Sequence, residues 1–237
     1  MIKIYDNLFI EDLALFLKKE RILIISDVHI GYEEELNEKG ILIPRFHQKD
    51  ILNKIEEILK KTKPKKIIIN GDLKHEFGTI SETEWRNTFQ FLDLINKYCK
   101  EIILIKGNHD TILEPIARKR NLSIKDYYKI NDYYIIHGNK IPNNKEFKES
   151  KIIIIGNEHP AITLKHGLRS ETYKCFLKGK FKNKILIVIP SFNPITEGTN
   201  ILREELLSPF LHQDLKNFNI YIIGDRAYNF GKVKNIG

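Results

Sequence analysis

The sequence predicts an α/β protein made of two packed mixed β-sheets flanked by helices. Three observations carry that prediction. Ile-rich runs alternate with helical periodicity in the first half of the chain, each run ends at once in a polar cluster, and the second half is β-rich with hairpin spacing.

The first run is RILIISDVH (21–29), short and β-branched, the pattern of a strand buried on both faces. Over residues 46–61, Ile51, Ile55, Ile58 and Leu59 share one helical face. KKIIINGD (65–72) is the next strand. Residues 82–99 place Trp85, Phe89, Leu92, Ile95 and Cys99 on one face, and Ser81-Glu82-Thr83-Glu84 supplies a capping box at the start. EIILIKGNHD (101–110), YYIIHGN (133–139) and KIIIIGNEHP (151–160) repeat the strand pattern. Strand–helix–strand repetition predicts parallel strands joined by right-handed crossovers. Further on, ETYKCFLKGKFKNKILIVIP (171–190) and FNIYIIGDRAYNFGKV (218–233) read as hairpins, with turns expected near Lys178-Gly179 and Gly224-Asp225. No low-complexity linker separates the halves, so residues 1–237 are expected to form a single domain.

Composition narrows the classes. Hydrophobic residues make up 42% and charged residues 30%, an ordinary balance for a soluble protein. No apolar run approaches the ~18 residues of a membrane span, and MIKIYDNLFIEDLALFLKK carries acids within its apolar stretch, so neither membrane association nor a signal peptide is expected. Cys99 and Cys175 are too few for a disulfide framework or a zinc knuckle and are expected to be reduced and packed. The expected location is cytoplasmic. A net charge of +8 permits a polyanionic partner. The densest basic run, KKTKPKK (60–66), precedes a strand and so belongs at the sheet end away from any site. The chain has no G-x-x-x-x-G-K-[ST] loop, no G-x-G-x-x-G after a strand and no G-x-S-x-G elbow, which removes the common nucleotide-binding and serine-hydrolase readings.

The polar clusters carry the chemistry. In open α/β sheets ligands bind beyond the carboxyl ends of the strands, so a strand that is apolar along its length can turn polar there. Those ends collect Asp27 and His29, Asp72, Asn108 and His109, His137, and Asn157 and His159. Carboxylate, imidazole and amide oxygen without thiolate suits Mn²⁺, Fe or Zn²⁺. Asp27 and His29, two apart at the tip of an extended segment, are expected to point the same way and chelate one ion. A glycine before Asp72, Asn108 and Asn157 allows a sharp turn and close backbone approach. Arg45, Lys74, Lys106, Lys140, Lys165 and Arg169 are the cations nearest these ends, and Arg45, Lys74, Lys165 and Arg169 are the preferred holders of substrate phosphate.

The series D-x-H, G-D, G-N-H-D, H and G-x-x-H over residues 27–159 resembles the calcineurin-like metallophosphoesterase superfamily. In Gly71-Asp72-Leu73-Lys74-His75 the His three places after Asp72 is similar to the SbcD-type DNA nucleases. The wider text, including DVHIGYEEEL, GILIP, GDLKHEFG, GNEHPAI, YKCFLKG and PSFNP, resembles archaeal SbcD-related phosphoesterases and bacterial ligase- or helicase-associated ones. The resemblance implies a four-layer α/β/β/α sandwich and two divalent cations, Mn²⁺ by preference with Fe or Zn²⁺ as alternatives. One site would be Asp27, His29, Asp72 and His159; the other would be Asp72, Asn108, His137 and Asn157. It implies His109 as general acid, with His75 orienting or assisting it. Asp110 is expected to cap the following segment rather than orient its own motif.

Asn157 departs from the pattern, which usually has histidine there. An amide oxygen is a poorer donor toward Zn²⁺ and suits Mn²⁺ better, so a weaker second site is expected. The implied activity is phosphodiester hydrolysis through a metal-activated water, with DNA as substrate and single strands favoured over duplex ends by the chain length. A helicase or ligase repair partner belongs to the same expectation. A small-molecule phosphodiesterase or phosphatase, and a non-catalytic scaffold, stay as alternatives. The tract 195–215 either covers the site or mediates contacts.

Overall fold

The structure is a computed structural model that describes residues 1–41, 47–75, 81–110, 113–167 and 169–236. Seven strands form the first sheet in chain order: β1 (Ile2–Tyr5), β2 (Leu8–Glu11), β3 (Ala14–Leu17), β4 (Ile22–Ile25), β5 (Lys66–Asn70), β6 (Glu101–Ile105) and β7 (Ser123–Lys125). The pairs from β1 to β4 are antiparallel, and those from β4 to β7 are parallel. The crossovers carry α1 (Tyr32–Glu38), α2 (His47–Thr62), α3 (Glu82–Tyr98) and α4 (Glu114–Arg120).

The second sheet uses β8 (Tyr128–Ile130), β9 (Tyr133–Ile135), β10 (Ile152–Ile155), β11 (Pro160–His166), β12 (Arg169–Phe181), β13 (Lys184–Val188), β14 (Thr199–Asn200), β15 (Asn219–Ile223) and β16 (Ala227–Lys232), with α5 (Lys145–Glu149) between β9 and β10. Its spatial order runs β14-β11-β12-β13-β10-β9-β8, and β15 with β16 joins along β12. Strands β9, β10 and β13 are parallel, and the rest of the pairings are antiparallel except β11 with β14.

Alternation of side chains gives each sheet two apolar faces, and three cores result. Ile24, Ile68, Ile103 and Leu15 of the first sheet meet Ile135, Ile154, Phe176 and Ile187 of the second between the layers. The opposite face of the first sheet packs Ile25, Ile67 and Leu104 against Ile55, Leu59, Phe91 and Ile95 of the helices. The outer face of the second sheet is covered by Phe147 of α5 and by Phe210, Leu211, Leu215 and Phe218. That fourth layer is therefore mostly irregular chain, with one five-residue helix, where helices were expected. Fully burying one such aliphatic or aromatic side chain contributes about 1.5–3 kcal/mol before entropy is counted.

Three local expectations need correction. The buried stripe of α3 is Glu84, Asn87, Thr88, Phe91, Leu92 and Ile95. Trp85 and Phe89 sit at its border, stacked 5.2 Å apart, with Lys119 and Arg120 over their rings. The hairpin between β12 and β13 turns at Lys182-Asn183, where Lys182 has φ 54, and not at Lys178-Gly179. Gly179 is mid-strand because a Cβ there would lie 2.4 Å from the Phe218 ring. The capping box is half made: Ser81 Oγ accepts from Glu84 N at 3.0 Å, while the Glu84 carboxylate accepts from His75 N at 2.9 Å. The N-terminal β1–β3 meander, absent from the sequence expectations, extends the first sheet.

The basic run lies at the amino end of β5. Lys60 pairs with Glu56, Lys61 with Glu11, and Lys66 with Glu101. Both cysteines are buried and free. Among the described residues no helix is long and apolar enough to cross a membrane.

Candidate metal centre

The carboxyl ends of β4, β5 and β6 in one sheet and of β9 and β10 in the other lie together, and the polar clusters converge there. The backbone does it in an unusual way. Asp27, His29, Asp72, Asn157 and His159 all have positive φ, 54, 45, 44, 63 and 51°. Left-handed geometry costs a residue with a Cβ roughly 1–2 kcal/mol, and such strain collects at functional sites. Asp27 and His29 therefore aim together through two left-handed residues rather than through the pleat of an extended segment, as their spacing suggested.

Hydrogen bonds from both sheets hold that conformation. Asp27 N and His29 N donate to the carbonyls of Gly71 and Asp72, at 3.2 and 2.9 Å. From the end of β13, Ser191 Oγ donates to Asp27 O at 2.7 Å, and Asn193 Nδ2 donates to Val28 O and His29 O, each at 3.1 Å. Lys174 Nζ in turn donates to the carbonyls of Ser191, at 2.9 Å, and Asn193. Sequence reasoning assigned these three residues no role. The signal was present: ILIVIPSFN is a sixth apolar run ending in polar groups, and it was absorbed into a hairpin.

Among the described residues three groups of donor atoms result, one of them His29, His75 and His109 and the other two built on Asp27. Asp27, His29 and His159 bring theirs within 4.8 Å of one another, as do Asp27, Asp72 and His137. His159 Nε2 is 3.4 Å from Asp27 Oδ1 and 3.2 Å from His29 Nε2. Asp72 Oδ2 stands 4.0 Å from His29 Nε2 and 3.4 Å from His137 Nε2, so one carboxylate oxygen faces both groups. Asn108 Oδ1 is 2.8 Å from His137 Nε2. Asn157 contributes its main-chain N–H to Asp27 Oδ2 at 3.1 Å. Asp27, Asp72 and His137 are essentially inaccessible, and Asp27 Oδ1 is buried without a hydrogen-bond partner. An unsatisfied buried carboxylate oxygen is costly, and this one lies among imidazole nitrogens. A divalent cation would satisfy it, so these residues fit such an ion.

The electrostatics follow. Burial opposes a charge on Asp27, but His159, His137 and His29 outweigh it and hold its carboxyl well below the usual range. Burial and His159 push His29 down to about 3. Burial also opposes a charge on His137, yet the hydrogen bond to Asp72 and the charges of Asp27 and Asp72 raise it to about 9.

His109 lies beside this group. Its main-chain N–H donates to Asp72 Oδ1 at 2.9 Å, and its Nδ1 is 2.8 Å from the His75 carbonyl. A carbonyl only accepts, so the proton is on Nδ1. The rings of His75 and His109 stack with centroids 5.4 Å apart. What orients His109 is thus the backbone of His75, whose own ring nitrogens are turned elsewhere. Asp110 does not cap the following helix, which begins after Leu113 without a side-chain cap. Its carboxylate accepts from Leu73 N at 3.1 Å and Gly107 N at 3.0 Å, tying two site loops together. Burial and the charge of Asp72 raise it to about 6.

The cations expected to hold phosphate differ in placement where they are described. Lys74 is completely buried and does not present its ammonium to solvent. Arg169 is exposed at the far tip of the β11–β12 hairpin, and Lys165 has its backbone in β11 opposite Ser170. Arg45 lies outside the described residues. Lys106 and Lys140 are exposed beside the Asn108 and His137 segments. The tract after residue 195 buttresses the site. Thr199 N donates to His159 O at 2.9 Å, Ser208 Oγ donates to Gly138 O at 2.8 Å, and Ser208 N donates to the buried carboxylate of Glu158 at 2.8 Å.

Known proteins share this fold. The family model described as Calcineurin-like phosphoesterase matches residues 20–225. A nuclease MPE from Pseudomonas putida shares the fold with TM-score 0.67 at 18% identity, covering 92% of each chain. Yfce, a phosphoesterase from E. coli, aligns with TM-score 0.45 at 11% identity over 91% of this chain and 99% of that one. Vps29 from Entamoeba histolytica, complexed with Zn²⁺, aligns with TM-score 0.38 at 15% identity over 89% and 98%. Comparison with curated proteins gives no match.

Proposed function

Because the chain belongs to the calcineurin-like phosphoesterase family, we propose that it is a metal-dependent hydrolase of phosphodiester bonds, with single-stranded DNA as its substrate class. The observation that carries the reading is Asp72 Oδ2, placed 4.0 Å from His29 Nε2 and 3.4 Å from His137 Nε2 beside the partnerless Asp27 Oδ1. A carboxylate shared between two sets of oxygen and imidazole donors is the arrangement of a two-cation site.

In this reading Asp27, His29, Asp72 and His159 hold one cation, and Asp72, Asn108, His137 and Asn157 hold the other. Mn²⁺ suits this oxygen- and nitrogen-rich set. When bound, the cations supply charge neutralisation at the phosphoryl oxygens and a water of lowered pKa. The residues do the rest. Buried Asp27 and Asp72 fix the centre, and the left-handed turns aim their partners. His109, with Nδ1–H committed to the His75 carbonyl, would as the imidazolium give its Nε2 proton to the departing oxygen and be left neutral.

DNA is favoured by the +8 charge and by exposed Lys106 and Lys140 next to site segments. One observation favours a smaller diester instead: Lys74, beside Asp72, is buried and lays no phosphate track. The deciding assay compares Mn²⁺-dependent cleavage of single-stranded DNA, duplex DNA, RNA and a chromogenic phosphodiester, with His109→Ala as control. Preference for single strands, with binding that weakens steeply in salt, supports the proposal. Turnover of the small diester alone, indifferent to salt, would replace DNA by a small substrate, and no metal-dependent turnover at all would leave a scaffold.

A further inference from the structure

A second network lies behind His29. Its Nε2 faces His159 Nε2 at 3.2 Å, while its Nδ1 is 3.3 Å from Nδ1 of His75. The other ring nitrogen of His75, Nε2, meets the carboxylate of Glu35. Glu35 stands on α1 three residues after Tyr32, and i, i+3 positions share a helix face. Tyr32 packs its ring edge against His75 as well, with centroids 4.7 Å apart. His75 also stacks on His109. His75 is therefore packed by Tyr32 and His109, and each of its ring nitrogens has a neighbour.

We propose that Glu35 is a positioning residue for the metal centre, acting through His75 to fix the tautomer and ring orientation of His29. The inference rests on reading His29 as a metal ligand, and each step then follows from hydrogen-bond complementarity. A ligating Nε2 carries no proton, so His29 has its proton on Nδ1. That N–H donates to His75 Nδ1, which must offer a lone pair. His75 consequently carries its proton on Nε2, and the carboxylate of Glu35 accepts it. The chain Glu35–His75–His29 has one consistent set of tautomers. It also gives the acidic segment Tyr32-Glu33-Glu34-Glu35 a task. Glu34 accepts from Ser81 Oγ at 2.6 Å at the head of α3, so two acids of α1 tie the metal centre's surroundings to one helix.

The test uses Glu35→Ala and Glu35→Gln in the full chain, read by calorimetric titration with Mn²⁺ and by ¹⁵N-histidine NMR of the Zn²⁺-loaded protein. The amide oxygen of Gln can still accept from His75 Nε2–H, whereas Ala cannot. The expected result is a ~10–100-fold loss of affinity at one site in Glu35→Ala and near-native affinity in Glu35→Gln. In the spectra His75 should show the Nε2–H tautomer in the native protein and a mixture in Glu35→Ala. Native affinity in Glu35→Ala, or an Nδ1–H tautomer for His75 in the native protein, would overturn the relay while leaving the metal site intact. Failure of the native protein to take up metal would instead sink the metal-site reading itself.

Discussion

Nε2 of His137 stands 3.4 Å from Oδ2 of Asp72 and 2.8 Å from Oδ1 of Asn108, so a proton on Nε2 faces two oxygens. Burial disfavours that proton, but the hydrogen bond to Asp72 and the charges of Asp27 and Asp72 raise His137 to about 9. The stability that the raised pKa contributes is fully present below its ordinary value of 6.5 and is lost as pH rises through about 9. Metal binding needs neutral imidazole. Metal uptake between pH 6.5 and 9 should therefore release a proton from His137, and affinity should climb with pH across that window. His29, pushed down to about 3, should release none. Calorimetry of Mn²⁺ binding in two buffers of different ionisation heat reads the proton count. Heats that do not depend on the buffer at pH 7.5, roughly midway in the window, would contradict the assignment.

Glycines press against the ligands from behind. A Cβ on Gly107 would lie 2.0 Å from Asp72 Oδ1 and 2.4 Å from the Asp72 main-chain nitrogen, so neither partner can yield without moving the shared carboxylate. Gly107→Ala should cost about 1–3 kcal/mol by overpacking and reduce metal affinity at least ~10-fold, the scale on which disturbed ligand support acts. Gly231, with φ +80 but open space around it, is the control. Gly231→Ala should cost about 1–2 kcal/mol of backbone strain and leave Mn²⁺ titration unchanged. Thermal melts and titrations of both variants make the check.

The strands that carry the site were legible because of how they are buried. A parallel strand covered on both faces must be β-branched along its length, so polar residues at its carboxyl end stand out, and five such ends were readable as Asp27, Asp72, Asn108, His137 and Asn157 with their neighbours. Handedness was not legible. Nothing in D-x-H says that both residues turn left-handed, since that depends on hydrogen bonds donated to Gly71 and Asp72 and received from Ser191 and Asn193, all remote in sequence. Gly179 misled because glycine marks both turns and close approach, and only the Phe218 ring decides between them. The meander β1–β3 was missed for another reason. Its strands have four residues each, too short for alternation to register.

Lys174 is the keystone of the loop that steadies Asp27 and His29. Burial pushes its ammonium down to about 7, and its Nζ still donates to the carbonyls of Ser191 and Asn193. Lys174→Met removes both donors and leaves buried carbonyls unpaired, at a cost of about 1–3 kcal/mol each. The sign of the pH effect is opposite to that of His137. A lysine with a lowered folded pKa binds fewer protons folded than unfolded, so its contribution to stability rises between about 7 and its ordinary 10.5. Denaturant titrations of the metal-free protein should show the native-minus-Lys174→Met difference growing over that range. A difference that stays flat would mean that Lys174 keeps its proton in the folded state.

Asn157 raises the last question. Its φ of 63° and its main-chain N–H bond to Asp27 Oδ2 fix the backbone whatever the side chain. Asn and His are both enriched several-fold in left-handed geometry, so Asn157→His can enter without new strain. Imidazole nitrogen is more basic than an amide oxygen, and an exchange at the ligand itself should shift affinity by ~10-fold or more. The variant should therefore reach half-maximal phosphodiester hydrolysis at correspondingly lower Mn²⁺, with the gain confined to one of two binding steps in calorimetry. Native asparagine would then be the reason that the second cation comes and goes with Mn²⁺ supply. Superimposable activation curves would instead mean that the side chain at 157 does not reach the ion, and that Asp72, Asn108 and His137 hold it alone.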